Sequence, residues 1–546
     1  MKKALILLFF SLLIIKLLLI QLIPVPLGYS DSLAYFEQAK TFFETGSLTQ
    51  LIETAKFPPL YAIVISPAYL FQDMDTVFLV MKIINSILSS LIIFPAYFLA
   101  KEFLSPKKSI LFATLTAFIP TIFTMNLYIF SENLFFLVFL TTIFCIYKAY
   151  TEYKTKWAVL TGIGIGLCIL TRFSALLLLV ALIIITGIKV LKKEWRGVKT
   201  FIISSCTLGL SLTPWLLAKV KLSSWSLRSL LLGYTPEVQN ITQESFLWVK
   251  IIWTILYTNY LFLAIGILTA ILAIQCMCNY KKANKQTKTI LEITGILSII
   301  TIFIAANNAG SIIPYTAHRV IGRYIAALFP LWLLLSLTQT QIKKSYILIT
   351  GVFLLFTTPF IIFGVFYPIN NSELIWIEIA KTIISDKIMS AIIITSIVSL
   401  FTLFLLFIRK IKTTTYFTFI AIYFITISLL STAAVIYDAQ ERWYPLEEVQ
   451  MGMWITENLS PSATFYFDPQ DLEHFKEGTP IDRTNAEDRP ITVIAYWIRG
   501  EIINKKIILN LNEEQNPNNA DYIITTKTLN KELVKEGATI KIYKND

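Results

Sequence analysis

The sequence is dominated by apolar runs of roughly membrane-spanning length, separated by short polar joints. A hydrocarbon core of about 30 Å calls for about 20 apolar residues in an α-helix. Runs of this kind fall at 4–24, 77–100, 109–128, 133–150, 157–171, 173–191, 199–219, 247–277, 290–307, 322–340, 345–366, 388–408 and 415–437. Inside a bilayer each backbone N–H and C=O must be satisfied within its own segment or a closed barrel. The thirteen runs therefore predict an all-α polytopic membrane protein with about thirteen transmembrane helices, multi-pass in the plasma membrane. Composition agrees: 15% of the 546 residues are charged and 55% hydrophobic, against about 25% charged for a soluble domain.

The joints carry a second signal. Lys2 and Lys3, Lys101 with Lys107 and Lys108, Lys148 with Lys154 and Lys156, the Lys192–Lys199 cluster, Lys281–Lys288, Lys343 with Lys344, and Arg409–Lys412 occupy every second connection. The positive-inside rule assigns these joints and the N-terminus to the cytoplasm. The first long loop (25–76), the 220–246, 308–321 and 367–387 segments and the C-terminal stretch then face outward. The net charge of +12 is spread over these orienting clusters, so no basic groove for nucleic acid is implied. Met1-Lys-Lys followed by an apolar run resembles a signal peptide, but the run is long and no A-x-A-like site follows, so it reads as a retained first helix. All five cysteines lie in or beside apolar segments, and no disulfide framework is implied in the polar C-terminal stretch. From 438 to 546 the character changes to Asp, Glu, Asn and Pro with short β-type runs at Thr464-Phe-Tyr-Phe, Ile491-Thr-Val-Ile-Ala-Tyr and Asp521-Tyr-Ile-Ile-Thr, and a helical stretch near 446–458. This predicts a transmembrane domain over 1–437 and a small extracytoplasmic α/β domain over 438–546.

Ionisable residues at membrane depth are costly and carry a functional presumption. Asp31 opens the first outward loop, where it has two readings: a helix cap shared with Ser30 and Ser32, or a carboxylate for chemistry. Lys56 begins Lys-Phe-Pro-Pro-Leu-Tyr61, stiffened by its prolines. Glu132 stands at the outer end of the fourth run and Arg172 between the fifth and sixth. Arg319 and Arg323, four residues apart, would share one helical face beside Tyr324 and suit phosphate oxygens. Each cation also has a bland reading as a snorkelling helix end, and Glu132 as an interhelical pair. Asn240-Ile-Thr, Asn370-Asn-Ser and Asn458-Leu-Ser match a short glycosylation pattern.

In order and loop placement, Asp31 with Tyr35, Lys56-Phe-Pro-Pro-Leu-Tyr61, Ser131-Glu132-Asn133, Leu170-Thr-Arg172 and Arg319-Val-Ile-Gly-Arg323-Tyr324 with Pro330 resemble the GT-C membrane glycosyltransferases. The resemblance spans roughly residues 1–340 and is nearest to the protein mannosyltransferase and aminoarabinose-transferase-like branch; no Trp-Trp-Asp tripeptide of the oligosaccharyltransferase branch occurs. It implies an inverting transfer from a membrane lipid-linked donor, a polyprenyl-phosphate sugar, to a protein or glycolipid acceptor. It also implies Asp31 as base or acceptor-orienting acid and Glu132 as the second outward acid. Lys56, Tyr61, Arg172, Arg319, Arg323 and Tyr324 are implied as holders of the donor phosphate. Where many relatives carry a second acid directly after the first, this chain has Ser32, which leaves the acceptor preference and a divalent cation open.

The chief alternative is a transporter or flippase of lipid-linked glycans. Such proteins commonly show inverted repeats and midplane sites, whereas no repeat is seen here and the charges gather at one boundary. A scaffold whose outer domain does the work is a further alternative. Asp73-Met-Asp75 has the D-x-D form used for metals but precedes a run and reads as a helix cap. With only two histidines, His318 and His474, a His-based zinc site is not expected. Lys16, midway along the first run, has no assigned role.

Overall fold

The computed structural model describes residues 2–53, 57–222, 247–310, 320–339, 341–364, 366–407, 413–468, 489–503 and 519–545. Each of the thirteen apolar runs contains helix, but not thirteen full spans. Among the described residues ten helices are long and apolar enough to cross a membrane, or eleven if the bent pair Pro106–Ala117 and Pro120–Leu127 counts as one. That pair turns by 66° at Pro120, which begins the second piece and has no N–H to continue the first. The runs at 157–171 and 322–340 form the shorter helices Thr155–Thr171 and Ala326–Leu337. The long run at 247–277 is two helices, Leu247–Ala264 and Ile267–Cys278, parted at Gly266 with φ +84°.

Two buried lysines stitch the first helix to its neighbours. Lys82 Nζ donates to the carbonyls of Ile20 and Ile23 at 2.9 and 2.7 Å and sits 4.1 Å from the Phe78 ring centroid. A helix end leaves carbonyls without intrahelical partners, and a cation there also meets the negative end of the helix dipole. Lys16, left without a role by its sequence, donates to Ser89 Oγ at 2.8 Å and lies 5.5 Å from the Phe123 ring. Both lysines are interhelical fasteners.

After the first helix the chain reverses into a helix, Tyr29–Thr45, bounded at both ends by left-handed glycines. Gly28 has φ +67°, and a Cβ on it would fall 2.7 Å from both Ile369 and Phe130 side chains. Gly46 has φ +59° and donates its N–H to Phe42 O at 2.8 Å, the usual glycine stop. Asp31 lies in the first turn, but the cap position is Gly28 and no side-chain cap bond closes the turn. Asp73, by contrast, does cap its helix: its carboxylate accepts the Thr76 N–H at 2.7 Å.

The C-terminal part forms a small α/β domain. Strands β1 (Phe465–Phe467), β2 (Tyr522–Thr525), β3 (Leu533–Glu536) and β4 (Lys541–Lys544) make one sheet in the order β1-β2-β4-β3. The β1–β2 pair is parallel, with Phe465 opposite Tyr522, and the β2–β4 and β3–β4 pairs are antiparallel. The helix expected near 446–458 is Glu447–Asn458. The expected strand at 491–496 is instead a helix, Arg489–Trp497. Pro490 stands in its first turn, where a missing N–H costs nothing. Trp497 is fully buried against Gly452, whose Cβ would meet the indole at 2.1 Å. Packing overrides the β preference of Ile491-Thr-Val-Ile.

This same helix seats the domain on the bundle. Tyr496 packs on Phe36 of the Tyr29–Thr45 helix, ring centroids 4.1 Å apart. Lys40 donates to the carbonyls of Arg499 and Gly500, and Arg499 donates to those of Phe71 and Tyr69.

Candidate active site

Four charged side chains from four separate parts of the chain meet at the end of the bundle nearest the C-terminal domain. Arg172 Nη1 lies 2.6 Å from Glu132 Oε2. Arg323 reaches both acids, with Nη1 3.5 Å from Glu132 Oε1 and Nη2 3.6 Å from Asp31 Oδ2. Glu132 is almost fully buried, with 3% of its side chain exposed, while Asp31 keeps 22%. Asp31 is therefore the acid on the open side and Glu132 the one behind it. A carboxylate at that depth is tolerated only when paired, and Glu132 has two guanidinium groups.

Each position follows from a break in a helix. Glu132 begins the helix Glu132–Glu152, where an acid suits the positive end of the helix dipole. The preceding turn is tied down by Asn133, whose Nδ2 donates to the carbonyls of Met125, Tyr128 and Phe130 at 2.9 to 3.2 Å. Arg172 ends the helix Thr155–Thr171 in an extended conformation, which turns its side chain to Glu132 and to Ser131 Oγ at 3.2 Å. Ser131 Oγ also accepts the Tyr35 hydroxyl at 2.8 Å, linking the Asp31 helix to the Glu132 turn. Arg323 occupies the 3-10 turn Gly322–Tyr324 and lies 5.1 Å from the Phe130 ring centroid, a cation–π distance.

The turn that carries Arg323 is built by residues that the sequence did not announce as functional. Gly322 donates its N–H to Asn371 Oδ1 at 2.9 Å, and Ile321 donates to Tyr257 Oη at 3.0 Å. A Cβ on Gly322 would fall 2.0 Å from Tyr260 Oη. Tyr260 in turn donates to Glu373 Oε2 at 3.0 Å, and Glu373 Oε1 accepts the Thr121 N–H at 3.0 Å. Burial raises the Glu373 pKa, with these hydrogen bonds working the other way. Asn370-Asn371-Ser372 had matched a glycosylation pattern, but Asn371 and Ser372 are fully buried and bonded within this support. Only the polar cluster Asn371-Ser-Glu373 between apolar runs could have hinted at it.

The other sequence candidates divide. Tyr61 is fully buried and donates its hydroxyl to Asn85 Oδ1 at 3.0 Å, while its ring meets Tyr35 edge-on at 4.8 Å. It stands under the four charges, with its hydroxyl engaged elsewhere. Tyr324 shares the turn of Arg323. Lys56 and Arg319 (with His318) lie outside the described residues. The α-helical stretch expected to lead into Arg323 is interrupted at Ile321, which is extended at φ −112°, ψ 90°. Among the described residues no three His, Cys, Asp or Glu side chains gather to hold a metal ion.

Residues 56–217 match the family model of dolichyl-phosphate-mannose-protein mannosyltransferase. No curated protein matches the sequence. Among solved structures, ArnT from Cupriavidus metallidurans in the apo state superposes with a TM-score of 0.59 at 12% identity, over 99% of this chain and 98% of that one. The same protein bound to undecaprenyl phosphate gives a TM-score of 0.58 at 13% identity, with the same coverage. At this identity the likeness is one of fold, and it extends from the first helix through the C-terminal domain. The chain is thus an integral membrane protein with the GT-C fold of ArnT, similar over residues 56–217 to the dolichyl-phosphate-mannose-protein mannosyltransferases.

Proposed function

We propose that the chain is an inverting glycosyltransferase that moves a sugar from a polyprenyl-phosphate donor to a protein, lipid or glycan acceptor at the extracytoplasmic membrane face. The observation that carries this reading is Arg323, set between an open acid, Asp31, and a buried one, Glu132. Residues 1–437 form the transmembrane catalytic part, and 438–546 the outward domain. The family match over 56–217 and the undecaprenyl phosphate bound by ArnT support a lipid-phosphate donor.

In this mechanism the acceptor oxygen or nitrogen forms a bond to the anomeric carbon as the bond from that carbon to the phosphate oxygen breaks. The electron pair leaves with the polyprenyl phosphate, and the acceptor proton passes to the Asp31 carboxylate. Attack opposite the leaving group inverts the anomeric centre. The phosphate needs cations near its oxygens rather than a proton. Arg323 supplies one, and Arg172 holds Glu132 in place behind it. Two arginines and two carboxylates balance, so the donor's negative charge calls for further cations. Lys56, directly before the Phe57 ring that stacks on Tyr35, and Arg319 are assigned that duty, with Tyr324 and Tyr61 at the edge of the same site.

The test is transfer from a radiolabelled polyprenyl-phosphate sugar by protein in liposomes, with donor binding measured separately. Asp31→Asn is expected to bind donor as wild type does and to lose transfer by at least about a hundredfold, the usual scale for a general base. Equal transfer by wild type and variant overturns the assignment. A flippase would move the lipid across the bilayer without forming a glycosylated product.

A further inference from the structure

The membrane face opposite the four charges holds a second feature, a cavity of about 260 Å³ whose lining includes Glu152, Lys154, Thr155, Arg196, Lys199 and Thr200. Glu152 closes the 21-residue helix that Glu132 opens, so at about 1.5 Å per residue the two sites lie roughly 30 Å apart.

The cavity lies between the helices Thr155–Thr171 and Arg196–Leu222, which meet closely further in. A Cβ on Gly162 would fall 2.0 Å from Thr207 Oγ1, and one on Gly166 1.9 Å from Ser211 Oγ. Ser204 Oγ donates to Ala158 O at 2.9 Å. Such small-residue contacts bring membrane helices to close approach. Between the two ends that begin at Thr155 and Arg196 lies the cavity.

Its charge is one-sided. Lys154, Arg196 and Lys199 face one carboxylate, Glu152, and that carboxylate is already shared by Lys148 at 2.6 Å, Lys154 at 2.8 Å and the Trp157 Nε1–H at 3.2 Å. Among the described residues no carboxylate pairs with Arg196 or Lys199. Thr155 and Thr200 supply neutral polar groups, while the Tyr153 hydroxyl is given to Glu194 Oε2 at 2.6 Å, a carboxylate that also lies 3.7 Å from Lys285. Leu191 and Trp195 beside the opening are 86% and 67% exposed, an apolar and aromatic rim of the kind found at headgroup level.

We propose that this cavity binds a phosphate group at the membrane face opposite the candidate active site, with Arg196 and Lys199 as its principal cations. The phosphate is either the headgroup of an anionic phospholipid or a soluble phosphate.

The test uses the full-length protein purified in neutral detergent. Retained lipid is read by native mass spectrometry and stability by thermal melting, with phosphatidylglycerol, phosphatidylcholine and inorganic phosphate added in turn. Arg196→Gln/Lys199→Gln is compared with wild type and with Lys343→Gln/Lys344→Gln. The latter removes two exposed lysines from another joint on the same face. The cavity variant loses two charge-assisted contacts to the phosphate that the exposed control lysines do not make, so it is expected to lose affinity for phosphatidylglycerol about 30-fold, the scale of two such contacts at an exposed site. The control should lose little, and phosphatidylcholine should bind all three proteins alike. That pattern supports a lipid headgroup, whereas stabilisation by inorganic phosphate alone, lost in the cavity variant, supports a soluble phosphate. Equal losses in the cavity and control variants, or no preference of wild type for any phosphate-bearing anion, overturn the proposal.

Discussion

At the scale of single residues, the charges near the bilayer boundary are arranged so that none stands alone. Glu132 is the pivot, buried and in reach of both Arg172 and Arg323. Replacing it by glutamine leaves two guanidinium groups around a neutral amide. Removing one partner from a buried ionic cluster typically costs about 3–5 kcal/mol. Glu132→Gln is therefore expected to melt well below wild type in detergent, and added undecaprenyl phosphate should recover more of its stability than it adds to wild type. A melt equal to that of wild type would show that Glu132 is not the counter-charge of the two arginines. Lys82 makes a sharper single-residue case, because its two hydrogen bonds go to backbone carbonyls and it forms no ion pair among the described residues. Lys82→Met keeps the apolar stem and loses two charge-assisted bonds, each worth about 1.5–3 kcal/mol at most. The expected result is a lower melting temperature with the helical content unchanged by circular dichroism. The sequence made Asp31, Glu132, Arg172 and Arg323 legible because ionisable side chains beside apolar runs are rare. It could not show that Arg323 touches both acids, since those contacts close loops of about 190 and 290 residues. Nor could it tell Lys16 and Lys82 from functional cations, because their partners are a serine and backbone carbonyls, which leave no charge signal.

At the scale of elements, helix breaks decide where chemistry can sit, and their legibility depended on the residue that makes each break. Long apolar periods revealed the helices, while Gly28 and Gly322 act through space that only the fold defines and Gly266 through its positive φ. Gly28→Ala is expected to disturb the Asp31 helix twice over, by its left-handed φ of +67° and by clashes at 2.7 Å with Ile369 and Phe130. The cost should exceed the 1–2 kcal/mol of a left-handed alanine alone. Hydrogen exchange over 29–45 should quicken while the Lys344–Ile362 helix stays protected. The strand expected at 491–496 failed for a different reason: β-branched residues report a half-buried surface, and here the surface is offered to a helix. The C-terminal sheet also has a titratable fastener. Glu447 opens its helix and accepts the N–H groups of Thr539 and Ile540 at 2.8 and 2.9 Å and the Thr539 hydroxyl at 2.7 Å. Burial works to raise its pKa, but these hydrogen bonds outweigh it and hold the carboxylate below its ordinary value. Its contribution is thus present above the ordinary glutamate value near 4.3 and fades as pH falls through the lower folded value. Glu447→Gln should cost about 1 kcal/mol at pH 7. The gap to wild type, read as hydrogen exchange over 522–525 and 541–544, should close below about pH 4.

At the scale of the whole molecule, the C-terminal domain and the candidate site are mechanically joined through one helix. The helix Tyr29–Thr45 carries Asp31 in its first turn. About a turn and a half on it presents Phe36 to Tyr496, and then Lys40 to the carbonyls of Arg499 and Gly500. From the other side, Arg499 grips the carbonyls of Tyr69 and Phe71 just before the next span. The polar character of the tail was legible from composition. That the tail clamps the first loop was not, because the clamp is made of rings and backbone carbonyls. The domain therefore fixes one of the two acids, while Glu132, Arg172 and Arg323 are held by the bundle alone. Tyr496→Ala removes the ring packed at a tilt against Phe36 and opens a cavity beside Phe78, a loss of about 3–5 kcal/mol for a large buried aromatic. Because the bundle keeps its own core, the expected loss is local. Exchange should rise over 29–45 and 489–503, and stay at wild-type values over 132–152 and 320–337. Arg499→Gln should do the same more weakly. If Tyr496→Ala loosens 132–152 as much as 29–45, the two acids belong to one cooperative unit, and the clamp does not act on Asp31 separately.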